Sequence, residues 1–135
     1  MNKRIVHIAL LVRDYDEAIE FYTQKLGFTL LEDTRISDAK RWVLVAPKGA
    51  HECNLLLAKA TDDRQRSCVG NQAGGRVFLF LHTDNFKRDY QLLLDSSVRI
   101  VREPTVELYG TVAVFEDLYG NLWDLIEPVE EAYAE

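Results

Sequence analysis

The chain runs twice through one pattern, and that repeat limits its fold more than any other feature. Residues 5–12 form a nearly continuous apolar run, a helical stripe follows, and strand-like runs occupy 28–36, 41–46 and 53–58. After a polar stretch the same order returns. An apolar run at 76–83 is followed by a helical stripe of Phe86, Tyr90, Leu93 and Leu94, then by strand-like runs at 98–102, 111–115 and 121–126. Leu26-Gly27-Phe28 overlies Ser96-Ser97-Val98, and 41–45 overlies 111–115, both at an offset of 70 (98 minus 28, 111 minus 41). The expected fold is α+β: two tandem βαβββ modules, 3–60 and 76–128, joined by a loop at 61–75 within a single domain of 135 residues.

Local signals agree with this reading. Asp14 followed by Glu17 has the form of a helix cap. Tyr15, Ala18, Ile19, Tyr22 and Leu26 fall on one helical face, and Gly27 can close the helix. The stretch 61–75 carries charges and three glycines and reads as a linker or loop. Gly120-Asn121 marks a tight turn before the last strand.

Composition narrows the function. The formal charge is -6, and no basic cluster exceeds two residues, which argues against nucleic acid because affinity there rests on neutralising phosphates. No apolar run approaches the roughly 18 residues of a membrane span. Cys53 and Cys68 form no CxxC motif and read as free thiols in a reducing cytoplasm. A small molecule is the expected partner.

Two motifs carry a resemblance over 3–127. They are H-x-A-x-x-V-x-D followed by a helix ending F-Y-x-x-x-L-G-F, and D-x-x-G-N-x-x-[DE]-L in the stretch FEDLYGNLWDL. With the duplicated βαβββ order, they make the chain similar to the vicinal oxygen chelate superfamily, which contains glyoxalase I, bleomycin-resistance proteins, fosfomycin-resistance enzymes and extradiol dioxygenases. The resemblance implies sheets curved around a cleft, a homodimer, and in many members a divalent metal such as Zn, Ni, Mn or Fe. His7 matches the first-strand metal position and Asp124 the last-strand one, where the family usually has Glu. Phe78 stands where a metal-binding member would have histidine, and phenylalanine cannot ligate. The remaining position falls on Asn54, or on Glu52 if the strand is shifted by two; Asn54 is a weak ligand for a transition metal and Glu52 a good one.

The expected metal site is therefore short of ligands. Arg41, Trp42, Phe78, Phe80 and Tyr109 are candidates for a substrate pocket with aromatic walls, and Glu107, between apolar neighbours, is the candidate general base. Two function classes follow. One is a lyase, isomerase or dioxygenase using a metal on His7 and Asp124, and the other a metal-free binding protein of the bleomycin-resistance type. Arg102, Glu103, Glu116 and Asp117 read as surface charges of little energetic weight.

Overall fold

A computed structural model of the chain describes residues 2–50 and 52–129. It divides between Gly70 and Asn71 into two compact units, each built on one four-stranded mixed sheet. Unit 1 runs β1 (His7–Val12), α1 (Tyr15–Glu20), β2 (Thr29–Arg35), β3 (Arg41–Ala46), β4 (Asn54–Lys59) and α2 (Asp63–Cys68). Its strand order is β1-β4-β3-β2, with β1 and β4 parallel and the other neighbours antiparallel. Unit 2 runs β5 (Val77–His82), α3 (Phe86–Asp95), β6 (Ile100–Glu107), β7 (Gly110–Glu116) and β8 (Leu122–Pro128). Its order is β5-β8-β7-β6, with the same pattern of directions. The tandem βαβββ modules are present.

Two sequence expectations are corrected. The stretch 61–75 contains a helical turn, α2: Asp62 accepts from the backbone N–H of Gln65 at 2.7 Å, and the Gln65 side chain returns to the N–H of Thr61 at 2.8 Å. D-x-x-Q is itself a capping signal. Strand β6 continues past Arg102 to Glu107 despite Pro104, because it lies at the edge of its sheet, where a missing N–H is tolerated.

The repeat is exact at the helix ends except for one residue. The N-caps Asp14 and Asn85 are 71 apart (85 minus 14), whereas the left-handed residues that close the helices, Gly27 at φ 72° and Ser97 at φ 59°, are 70 apart (97 minus 27). Unit 1 absorbs its extra residue as a turn of π-helix, Phe21–Lys25, where the N–H of Leu26 reaches back to Phe21 at 3.2 Å. The following bonds show the same count: Phe28 N–H donates to Tyr22, six residues back, and Val98 N–H to Leu93, five back.

Which face each helix covers follows from direct contacts. In unit 1, Arg41 at the start of β3 pairs with Asp16 of α1 and lies 5.1 Å over the ring of Tyr15. Side chains alternate along a strand, so Val43 and Val45 face the helix with Arg41. Their neighbours across the sheet, Leu55 and Leu57 on β4, are likewise buried, as are Leu10 and Val12 on β1. In unit 2, Glu127 accepts from the first N–H of α3, that of Phe86, at 2.7 Å, which places Leu125 and Trp123 on the helix side of β8. Phe115 stacks on Trp123, both buried.

The turn between β7 and β8 contains the D-x-x-G-N part of the second motif, Asp117 to Asn121. Asp117, read from the sequence as a surface charge, is 4% exposed: its Oδ1 accepts from the N–H groups of Tyr119, Gly120 and Asn121 at 2.9 to 3.0 Å, and its Oδ2 from the Asn121 amide at 2.9 Å. One carboxylate thus satisfies the donors of a buried turn. Gly110, which opens β7 at φ 152°, has no room for a side chain, since a Cβ there would lie 2.3 Å from the carbonyl oxygen of Glu127.

Two stability predictions follow. Asp117→Ala strands several buried donors and is expected to cost about 3 kcal/mol, read as a fall in denaturant midpoint at unchanged slope. Ser97→Gly relieves a left-handed serine where unit 1 already has glycine, and is expected to stabilise by about 0.5 to 1 kcal/mol in the same titration.

Candidate functional site

Turning from the helix side, the opposite face of each sheet gathers the residues that chemistry would use. In unit 1, β1 and β4 pair in parallel with His7 beside Asn54, Ala9 beside Leu56 and Leu11 beside Ala58. Leu44 on β3 lies next to Leu56, and Glu32 on β2 next to Leu44. Strand alternation puts Trp42 on this face too. The ring of Trp42 meets His7 edge to face, with centroids 5.9 Å apart and planes at 75°. The Nδ1–H of His7 donates to the Asn54 amide oxygen at 2.5 Å. His7, Asn54 and Trp42 are all half-buried. This face sets the His7–Asn54 pair among Ala, Leu and Trp side chains, with Glu32 and Thr34 of the edge strand β2 at its margin.

In unit 2 the equivalent row is Phe80, Asp124, Val114 and Arg102, side by side across β5, β8, β7 and β6. Phe80 is 63% exposed, a large aromatic laid open on a sheet. Asp124 is half-buried beside it. Desolvation holds the Asp124 carboxyl above its ordinary range, and the nearby Arg102 charge pulls it only part of the way back. Sequence reasoning had set Arg102 among solvated surface charges. Its signal was the repeat, since Arg102 falls 70 residues beyond Glu32 (102 minus 32), on the same row of the other module.

The pairing also corrects the counterpart of Asp124. Leu44 and Val114 are repeat partners at the offset of 70, and they pair with Leu56 and Asp124 respectively. Asp124 therefore corresponds to Leu56, at an offset of 68 (124 minus 56), and not to Asn54 or Glu52. The reason lies in the turns: seven residues (47–53) join β3 to β4, and five (117–121) join β7 to β8. Two extra residues in unit 1 displace β4 by two positions. Asn54 is instead the parallel neighbour of His7; in unit 2 the repeat-related residues are the apolar Phe78 and Leu122, where Leu122 pairs with Val77 and Phe78 lies in a bulge of β5.

These placements bear on a metal. His7 has its Nδ1 engaged by an amide and its flank covered by an indole. Asp124 has Phe80 and Val114 as its sheet neighbours. Among the described residues, no group of three or more His, Cys, Asp or Glu side chains could hold a metal ion. With Leu56 and Phe78 at two of the repeat-related positions, the donor set does not fit a divalent metal that needs about three protein ligands.

The other candidates from sequence lie elsewhere. Arg41 is on the helix side of its sheet, held by two bonds to Asp33 at 2.7 and 3.0 Å and one to Asp16 at 3.0 Å; these bonds, Asp33's foremost, keep its guanidinium pKa above the ordinary value. It is not brought together with Trp42. Glu107 is exposed at the end of edge strand β6, where Thr105 donates to it at 3.1 Å. Tyr109 is exposed in the β6–β7 hairpin turn, and its backbone carbonyl accepts from Val129. Both cysteines are free and half-buried.

The profile of the Glyoxalase/Bleomycin resistance protein/Dioxygenase superfamily matches residues 4–125. The chain belongs to that superfamily. An uncharacterized protein of Shewanella frigidimarina (strain NCIMB 400) is 58% identical over 128 residues, covering 94% of this chain and 95% of that one. Among solved structures, UcmS2 is similar with a TM-score of 0.82 and 32% identity, over 94% of this chain and 99% of its own. TnmS3, an antibiotic binding protein from Streptomyces sp. CB03234, is similar with a TM-score of 0.78 and 29% identity, over 95% and 98%. Among the described residues, no helix is long and apolar enough to cross a membrane.

The partial desolvation of Asp124 in its row has a measurable consequence. A carboxyl whose pKa is raised by folding stabilises the fold while protonated, and that contribution is lost as pH rises through the folded value. Asp124→Asn is therefore expected to melt higher than wild type at pH 7, with the difference closing as pH falls below the ordinary carboxylate range. Thermal melts from pH 3 to pH 7 check this, and a variant that melts lower at pH 7 would reverse the assignment.

Proposed function

We propose that this protein binds a planar or largely apolar small molecule without a metal, in the manner of the antibiotic-binding members of its superfamily. The observation that carries this reading is the makeup of the two helix-free sheet faces. Each presents an aromatic side chain, Trp42 or Phe80, with a few polar groups among aliphatic ones: His7, Asn54 and Glu32 in unit 1, Asp124, Arg102 and His82 in unit 2. Aromatic walls with a few placed polar groups suit a flat ligand. They offer little to a reaction that needs a Lewis acid and several convergent donors. The similarity to TnmS3, named as an antibiotic binding protein, supports the same class of ligand.

A catalytic reading rests on the superfamily's lyases and dioxygenases and would use a metal on His7 and Asp124. Leu56 and Phe78 at the repeat-related positions tell against it.

Calorimetric titration with bleomycin and with a planar anthracycline tests the proposal. Binding in the micromolar range or tighter is expected for at least one of them, unchanged by EDTA. Trp42→Ala should weaken it about tenfold or more, the scale of losing a buried aromatic anchor. Arg41→Met should lower the melting temperature and leave affinity alone, because Arg41 serves the helix side. Binding abolished by chelator and restored by Zn²⁺ or Ni²⁺ would overturn the proposal in favour of the catalytic reading.

A further inference from the structure

Unit 1 carries a hydrogen-bond arrangement that specifies its ligand more closely. The amide oxygen of Asn54 faces Nδ1 of His7 at 2.5 Å. An amide oxygen only accepts, so Nδ1 must carry the proton, and in the neutral ring Nε2 is then left with a lone pair and no hydrogen. Ordinary histidine in water prefers the reverse tautomer, with the proton on Nε2. Asn54 imposes the less common one.

The placement of this pair is built into the fold. His7 and Asn54 are neighbours in the parallel register of β1 and β4, and the N–H of Asn54 also donates to the carbonyl of Val6 at 3.0 Å, which anchors the start of β4 to β1. That backbone bond fixes the Cα of Asn54 beside His7, within reach of the ring for the side-chain amide. The indole of Trp42 meets the imidazole at 75° and limits its rotation from the side. Among the described residues, the structure gives Nε2 no hydrogen-bond partner. In unit 2 the repeat-related positions carry Phe78 and Leu122, neither of which can accept through a side chain.

We infer that Asn54 is a positioning residue that holds His7 as a hydrogen-bond acceptor beside Trp42, so that unit 1 selects aromatic ligands bearing a hydroxyl or N–H donor. The inference rests on the binding function proposed above and adds the ligand's polar requirement to it. A ring carrying a methyl ether in place of the hydroxyl would stack equally well on Trp42, but would set one acceptor against another. A site that presents a half-buried acceptor discriminates against such an analogue because the ligand leaves that lone pair without a donor.

Two measurements on the full chain test it. Calorimetric titration with 2-naphthol and with 2-methoxynaphthalene should give an affinity ratio of about five- to tenfold in favour of the naphthol, as expected for one hydrogen bond. In Asn54→Leu and in His7→Phe that ratio should fall to about twofold or less, while stacking on Trp42 keeps both probes bound. Long-range ¹⁵N–¹H correlation of the histidine rings reads the tautomer directly. The wild-type His7 signal should be that of a proton on Nδ1, and Asn54→Leu should move it to Nε2.

Equal affinity for the two probes, or a His7 proton on Nε2 in the wild type, would overturn the inference and leave the binding function standing. If the wild type bound neither naphthalene and neither antibiotic, the binding function would fall, and with it the inference. The spectrum of the wild type alone decides the tautomer if Asn54→Leu does not fold.

Discussion

The pairing of β3 with β4, and of β7 with β8, is the constraint on which the rest of this structure depends. These central strands are apolar on both faces: Val43, Leu44, Val45 and Ala46 are all buried, as are Val112, Ala113, Val114 and Phe115. A strand of this kind cannot present one face to water, as the strands of a half-solvated antiparallel sheet do. The helix of the module covers one side. The other side must be closed by the curl of the sheet and its edge strands, or by what the protein binds. A slip of one residue in either pairing would send Trp42 or Asp124 to the helix side, so the register that builds the core also decides which groups meet a ligand.

The repeat supplies two copies of that solution, and the differences between them fall where chemistry would be. Unit 1 has one extra residue in its helix, absorbed as the π turn, and two in its β3–β4 turn. Both insertions are taken up in connections and helix ends, which leaves the sheet registers intact. The faces have diverged instead. An imidazole and an amide in unit 1 correspond to a phenyl and an isobutyl group in unit 2, a leucine corresponds to Asp124, and Glu32 to Arg102. The positions of His7, Asn54 and Asp124 carry apolar side chains in the other module. What remains in each unit is a surface with its own aromatic and its own polar groups.

Most of the architecture was legible in the sequence because periodicity and helix signals are local. The β-α-β-β-β order and the caps at Asp14 and Gly27 follow from patterns a few residues long. The site was legible only in part, because its geometry depends on pairings between distant strands. Asn54 could be found as a strand residue, but its place beside His7 required the parallel register of β1 and β4. The counterpart of Asp124 could not be found by sliding one module over the other at a single offset, because turns of unequal length change the offset from 70 to 68 within a module. Arg41 is a case of the opposite kind. Its charge suggested a ligand contact, whereas alternation from Trp42 assigns it to the other face, and Asp16 and Asp33 meet it there.

The motif that identifies the superfamily is itself divided between structure and chemistry. In FEDLYGNLWDL, Asp117 and Asn121 are spent on the turn: one carboxylate accepts four bonds, and the asparagine is buried against it. Gly120, at φ 104°, provides a conformation that a side chain would strain. These three residues align β8 with β7, and the alignment fixes the direction of the fourth polar residue, Asp124, on the uncovered face. Selection for the fold alone would preserve the first three whatever the fourth does. A match to the motif thus identifies the scaffold with confidence, while the chemistry is written in the neighbours of Asp124, which are here a phenylalanine, a valine and an arginine. A carboxyl in that company is held partly desolvated, with the Arg102 charge offsetting only part of that effect.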